Sequence, residues 1–366
     1  MVKQGKQQGI VVKEDCSKLS IGCRCSPIAF HLTMEGVKKV MKKQHHEVLK
    51  KNPFYHYMDM PKINHSFHRV VSLMQAYNPE DRAFWFGGNT IRLEFTPQQL
   101  SIVLGLQYEG VPVDVNMDGR DTDFITRIFD GKLSLMTRPY IGYKLEAYAV
   151  MTDQQSVEDF SRLYTIYLFN TILLPKGNKT LERWVYPHVE DLEVLGSFAW
   201  GKLVYDILVE NMEGYLKGGL KYFDGCTIGL LAWVHERITS LGVSTSVYKF
   251  PRFFRWQDSK IPIDEEAARL LFDQIKQVQV IPFSVYPKEK ALLSPVLEVI
   301  SGPVVGISAD RFVEISSESS EDEIGDVEAT PNADYYRGRK DYVRRDQISE
   351  EDRILLDQFL ESVDLG

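Results

Sequence analysis

The chain has 366 residues, 44% of them hydrophobic and 11% aromatic, which is apolar material for a sizeable core in one large or two medium domains. Its formal net charge is −8, so the molecule as a whole is no electrostatic magnet for nucleic acid, and such a contact would need a local basic patch. No stretch approaches the roughly eighteen apolar residues of a membrane span, and the N-terminus lacks a signal-like apolar run, so membrane roles are excluded and a nuclear or cytoplasmic location is expected.

Residues 1–25 are polar and without periodicity, which predicts a flexible leader. From Thr33 the pattern turns helical: Val37, Val40, Met41, Gln44 and Val48 form a stripe, ringed by lysines, and Asn52-Pro53 ends it. A second helix carries Phe67, Val70, Val71 and Met74 and ends near Asn78-Pro79. Two aromatic and β-branched runs then flank Gly87-Gly88-Asn89, which predicts a hairpin near 84–95. Thr96 caps the following helix, Pro97 suits its first position, Gln99 completes a capping box, and Gly105 closes it. Residues 110–122 read as a loop. Thr152 and Gln155 form another capping box, ahead of an apolar face of Val157, Phe160, Leu163, Tyr164, Tyr167, Leu168 and Ile172. Leu192–Met212 and Ile228–Ile238 read as two more helices.

The expected fold is therefore mainly α: a multi-helix globular domain over 26–300 with one small hairpin. Beyond it, residues 301–348 are acidic and then basic and predict disorder. Residues 349–366 predict a short amphipathic helix, with Ile354, Leu355, Phe359, Leu360 and Val363 on one side.

No catalytic, cofactor or metal site is expected. Gly196 to Lys202 has the spacing of a phosphate loop, but Leu203 stands where a magnesium-binding hydroxyl belongs, and Phe198 and Trp200 are bulky. Packing of those two rings at a helix start is the better reading. Cys16, Cys23, Cys25 and His31 match no common zinc spacing and read as free thiols in the leader, in keeping with a reducing compartment. His45, His46, His56, His65 and His68 lie close in sequence without a zinc-protease arrangement, and His235-Glu236 lacks the second histidine. Cys226 reads as the one cysteine inside the folded region; His188 and His235 are its candidate partners for nucleophilic chemistry, and a buried structural thiol is the better reading.

Binding signals are stronger. Lys38, Lys39, Lys42 and Lys43 offer a basic contact or import surface, against the simpler reading of a solvated helix face. Arg337, Arg339, Lys340, Arg344 and Arg345 form a second basic cluster among tyrosines, suited to nuclear import or weak RNA contact. In Arg311 to Glu323, the apolar Phe312, Val313 and Ile315 run into Glu318, Glu321, Asp322 and Glu323. This resembles a SUMO-interacting segment, which adds as a strand to a sheet edge with its acids facing basic residues. Ser319 and Ser320 each have an acid three residues on, as acidophilic-kinase sites do.

Several stretches together carry a family resemblance. They are Asp81 to Gly88, Ile91 to Leu100, Val103 to Leu106, Tyr164 to Leu174, Pro187, Val189 to Lys202, Gly229 to Ile238 and Pro251 to Trp256. In this order they resemble the plant mobile domain, also labelled aminotransferase-like, and its relative in transposon-derived plant ubiquitin-like (SUMO) protease genes. The resemblance implies a helical, non-catalytic domain of transposable elements or of domesticated nuclear proteins linked to silencing. No pyridoxal-phosphate lysine is evident. The expected function is a nuclear binding or scaffold protein, with nuclear proteins, SUMO or SUMO-conjugated proteins as partners and nucleic acid as a weaker candidate. The alternatives are a SUMO-protease relative lacking its catalytic domain, and an enzyme with an unrecognised site.

Overall fold

The computed structural model describes residues 21–119, 122–177 and 180–294. The chain divides into two units, Met1–Pro295 and Val296–Gly366, and every described residue belongs to the first. The expected segments 301–348 and 349–366 lie outside the described residues.

The fold begins earlier than the expected leader boundary. β1 (Gly22–Cys23) pairs in parallel with β5 (Tyr222–Phe223). Tyr222 lies against Gly22 and the Arg24 guanidinium, so residues 22–25 are part of the packed body rather than leader. α1 (Pro27–Val40) buries Phe30, Met34 and Val37. The chain then leaves helical geometry at Met41 and Lys42, and α2 (Lys43–Leu49) starts afresh. This break resets the helical phase. The expected continuous stripe is therefore not formed: Val40, Met41 and Val48 are half-buried and Gln44 is exposed, while His45 and Leu49 point inward one turn apart.

α3 (Phe67–Met74) stops at Met74, because Tyr77–Asn78 is a strand, β2. It pairs with the expected hairpin, β3 (Ala83–Phe86) and β4 (Ile91–Glu94), to give an antiparallel sheet of order β2-β3-β4. Gly87, Gly88 and Asn89 all take the left-handed conformation that the sharp turn requires. α4 (Pro97–Leu104) has the expected Thr96 cap, whose hydroxyl accepts the Gln99 amide at 3.3 Å, and the expected left-handed Gly105 stop. The reciprocal half of the box is missing: the Gln99 carbonyl oxygen accepts the Trp233 indole N–H at 2.7 Å instead. Burying an indole without a partner is the larger penalty.

α5 (Asp123–Phe129) and α6 (Arg138–Tyr148) lead to α7 (Gln154–Leu168). The cap of α7 is Asp153, not Thr152; its carboxylate accepts the Ser156 amide at 2.9 Å. All seven expected apolar positions from Val157 to Ile172 are buried. The helix widens into a π turn, Phe169–Leu173. The Asn170, Thr171 and Ile172 carbonyls accept from Arg138, the Ser26 amide and the Cys25 thiol, which docks the N-terminal segment onto that turn.

α8 (Val185–Glu190) precedes α9 (Trp200–Lys217). α9 starts eight residues later than the expected Leu192, since the Ala199 and Gly201 amides are taken by the Val111 and Gln107 carbonyls. Gly201 also sits where any Cβ would lie 2.1 Å from the Ser101 hydroxyl, so α4 and α9 approach closely. α10 (Thr227–Arg237) matches expectation. A two-stranded sheet of β6 (Gly242–Ser244) and β7 (Trp256–Ser259) follows, and then α11 (Glu265–Asp273), capped by Asp264.

α7 packs against α2, α6 and α8, and α4 packs against α9 and α10. Past α11 the chain runs as a strap to Ser294, with 3-10 helices at Gln277–Gln279 and Pro287–Leu293. A buried ion network holds it. Arg252 donates to both oxygens of Glu289 at 2.7 and 2.5 Å and to Glu236 at 3.4 Å; Arg255 and the Trp256 indole donate to the other Glu236 oxygen at 2.7 and 2.6 Å. Glu289 is fully buried. Removing one partner of such a pair leaves an uncompensated charge in the interior. Arg252→Met is expected to cost about 3–5 kcal/mol in urea denaturation. Arg252→Lys should recover little, because an ammonium cannot serve two carboxylates as a planar fork does. A loss below about 1 kcal/mol for Arg252→Met would show that the strap is held by other contacts.

Candidate functional site

The lysines singled out by sequence sit around the break between α1 and α2. Lys38 and Lys39 occupy the last turn of α1, where cations suit the carbonyl end of the helix, and Lys42 and Lys43 flank the start of α2. They are not equivalent. Lys38 pairs with Glu35 and Asp59 at 3.3 and 3.1 Å, and Lys43 with Glu47 at 3.5 Å. Lys39 and Lys42 are exposed and, among the described residues, engage no carboxylate; neither do Lys50 and Lys51 at the far end of α2.

His45 positions this basic face. Its Nδ1 accepts the Lys42 amide at 3.1 Å, and its Nε2–H donates to the Tyr148 carbonyl at 3.0 Å. Its ring meets the edge of Phe160 with centroids 4.8 Å apart. The tautomer is thus fixed by two backbone groups, and burial holds the imidazole below its ordinary pKa. The break is pinned to α6 and α7, so the lysines ride on a rigid mount.

Four amides of the phosphate-loop-like segment are already engaged. The Ser197, Ala199, Trp200 and Gly201 amides all donate to backbone carbonyls. Trp200 is buried with its indole on the Leu195 carbonyl at 2.8 Å, and Phe198 is half-buried against His188. Both rings do pack at a helix start.

The cysteines depart from expectation. Cys226 is not the one cysteine of the fold, because Cys23 and Cys25 are built into it as well. The Cys23 thiol is 3.5 Å from the Thr227 hydroxyl, which lies 2.9 Å from Nε2 of His65. Cys25 and Cys226 are close enough to Cys23 that ionising one would oppose ionising another. Burial pushes all three thiols up, Cys25 to about 12, and pushes His65 down to about 4, with Arg69 adding to the effect. At neutral pH this cluster therefore holds thiols and a neutral imidazole, not a thiolate and an imidazolium.

The histidines named as partners of Cys226 are engaged elsewhere. His188 donates to the Trp184 carbonyl at 2.6 Å and accepts the Asp114 amide at 3.2 Å. His235 faces the Ser259 hydroxyl at 3.0 Å, and burial pushes it down to about 3. His31 bonds the Met60 carbonyl and not the cysteines. Cys16 lies outside the described residues. Among the described residues, no three His, Cys, Asp or Glu side chains are placed to hold a metal ion, and no helix is long and apolar enough to cross a membrane.

The tail candidates all lie outside the described residues: Phe312, Val313, Ile315, Glu318, Ser319, Ser320, Glu321, Asp322, Glu323, Arg337, Arg339, Lys340, Arg344 and Arg345. Sequence reasoning also missed an exposed aromatic and basic patch, Val247 to Phe250 with Val285 to Lys290, although both runs set a Val-Tyr pair beside proline and lysine.

A family model described as Domain of unknown function (DUF8566) matches residues 23–231, more than half of the chain, and the chain belongs to that family. No curated protein and no solved structure matches it.

The neutral imidazoles have a measurable consequence. His56 and His65 are pushed down to about 4 and His235 to about 3, against about 6.5 in an unfolded chain. Between those values the unfolded state binds more protons than the folded one. Stability is then full above about pH 6.5 and falls as the pH drops toward 3, with His235 alone worth up to about 5 kcal/mol over that range. Urea denaturation at steps from about pH 7.5 to 4 should show the decline, and His235→Asn should flatten it. A stability constant down to about pH 4 would contradict the assignment.

Proposed function

We propose that the chain is a non-catalytic nuclear binding or scaffold protein of the plant mobile domain type, associated with transposon-derived genes. One observation carries this reading: the interior keeps its thiols and imidazoles neutral and its buried carboxylates paired, while unpaired charge sits outside, on Lys39, Lys42, Lys50 and Lys51. Groups that do acid–base or nucleophilic work have pKa values tuned toward neutrality and access to a substrate. Here the shifts run the other way, as they do for packing. The order of the plant-mobile-like stretches adds the nuclear and transposon context.

In this reading the body is a rigid mount and the segment from Arg311 to Glu323 recruits SUMO or SUMO-conjugated proteins, tuned by phosphorylation of Ser319 and Ser320. The full-length protein purified from nuclei, with and without nuclease, tests the class. Partners that survive nuclease support a protein scaffold. Partners lost with nuclease give the lysine face and the Arg337 to Arg345 cluster the leading role and refute it.

The SUMO contact has its own measurement. A labelled peptide of residues 306–328 should bind SUMO, and Val313→Ala with Ile315→Ala should weaken it at least about tenfold by removing the apolar half of the added strand. Absence of binding by the native peptide, or equal binding by both, removes SUMO from the proposal.

A further inference from the structure

We propose that segments 244–251 and 278–290 form one docking surface for a linear peptide in which a short apolar run adjoins a run of acids. The proposal rests on the protein-binding reading above and names the partner chemistry that the body itself would take.

Three observations converge. The first is apolar exposure on two segments that touch. Val247 is 89% exposed, Ile281 44% and Tyr286 41%, with Phe250 and Val285 also exposed. Tyr248 and Tyr286 meet edge to face with centroids 5.0 Å apart, Arg255 donates to the Val247 carbonyl, and Arg252 donates to the Ser284 carbonyl at 2.5 Å. Each segment is thus fastened to one of two arginines, Arg255 and Arg252, that share Glu236. Contiguous apolar surface of this kind marks an interaction site more often than chance exposure does.

The second is charge. Lys249, Lys288 and Lys290 are exposed and, among the described residues, have no carboxylate partner. The one acid in these two segments, Glu289, is buried against Arg252. On a chain of net charge −8, this is a locally cationic rim around an apolar strip. It complements a peptide carrying acids beside its apolar residues.

The third is the backbone. Residues 280–286 belong to no helix or strand. The Ser284 carbonyl and the Tyr286 amide bond inward, to Arg252 and Glu289. Phe283 and Val285, in the alternate positions, use neither amide nor carbonyl in a hydrogen bond among the described residues. Alternate peptide groups of an extended stretch face the same edge, so Phe283 and Val285 offer a short open edge to an added strand, which ends at Ile281, where the amide and the carbonyl both bond Arg237. Arg252, with the Phe283 and Tyr286 rings 4.7 and 4.6 Å from it, holds the strip in place.

Single-stranded nucleic acid fits less well. Stacking platforms need open ring faces. Here Tyr248 and Tyr286 are nearly perpendicular, at 78°, Arg252 lies over the Tyr286 ring, and the most exposed large hydrophobic side chain is Val247.

The test uses the full chain and a fluorescein-labelled peptide of four valines followed by six glutamates. Fluorescence anisotropy should show saturable binding. Lys249→Glu, Lys288→Glu and Lys290→Glu together should weaken it at least about tenfold, as loss of three exposed ion pairs implies. Val247→Ser with Val285→Ser should weaken it comparably. All five positions are exposed, so thermal midpoints should be unchanged, which separates lost docking from lost folding. A peptide with serines for valines, or lysines for glutamates, should bind weakly. No binding of the first peptide, or binding that ignores both sets of substitutions, overturns the proposal. So does an oligothymidine that binds while the peptide does not, and loses its binding on the lysine reversals. Nuclear partners that survive nuclease while the peptide fails to bind would sink this surface and leave the scaffold reading standing; the opposite pair of results would do the reverse.

Discussion

The described fold turns on a largely buried connecting segment whose one regular element is a short 3-10 helix, Tyr55–Asp59. Residues 50–60 pass between the helices around α7 and those around α4, and their peptide groups have to be satisfied there. Asn52 does much of this. Its amide donates to Ser161 and Thr165 of α7 at 3.2 and 2.8 Å, and its carbonyl accepts the Phe54 amide at 2.9 Å. The Phe54 carbonyl accepts the Tyr164 hydroxyl at 2.7 Å, and the Tyr57 hydroxyl reaches the Leu104 carbonyl at 2.7 Å. The Phe54 ring packs against Phe169 and Trp200. Through these bonds one segment ties α7 to α4. Buried polar groups with every partner in place fix a single arrangement more strictly than apolar contact does.

What could be read from the sequence was whatever depends on neighbours in the chain. The hairpin at 83–94, the Thr96 cap and the Gly105 stop are local chemistry, and they are where they were expected. The face of α7 is an uninterrupted 3.6-residue period, and it is buried throughout. The misplacements come from partners far away in sequence. Gln99 gives up its capping bond to an indole 134 residues on. The start of α9 waits for carbonyls of residues 107 and 111 to claim its amides. Asn52 read as a helix stop; its second role, as a hydrogen-bonding hub, depends on hydroxyls more than 100 residues away. The lysine face was legible as composition. The break that splits it between two helices was not, because a periodicity argument assumes the helix continues.

The cysteines show the same limit from the chemical side. Cys23 and Cys25 stand in a polar stretch and read as loose thiols, yet a two-residue parallel strand and the carbonyls of a π turn bring them beside Thr227. A strand of two residues leaves no periodic signal. Once assembled, the cluster is governed by desolvation, which acts on thiols and imidazoles in opposite directions and leaves both uncharged. Proximity of a thiol, a hydroxyl and an imidazole is thus not by itself a catalytic arrangement. The shifts in this cluster are those of desolvated groups.

The family match ends at residue 231, inside α10, but the physical unit does not. Trp233 lies beyond that limit, and it is fully buried against Phe84 and Phe95 with its indole on Gln99. Glu236, on the last turn of the same helix, anchors Arg252, Arg255 and Trp256, and through Arg252 the buried Glu289. A chain cut at 231 would open the hairpin–α4 core at Trp233, leaving an aromatic cavity of the kind that costs about 3–5 kcal/mol. It would also remove the strap that carries the open backbone edge. The segment held in common with the family therefore supplies the helical frame, while the residues after it both complete the core and carry Val247 and Val278, the most exposed of the large hydrophobic side chains among the described residues. Stability and recognition are joined at Arg252: the guanidinium that neutralises two buried carboxylates is the one that sets the strip from Phe283 to Tyr286 in place.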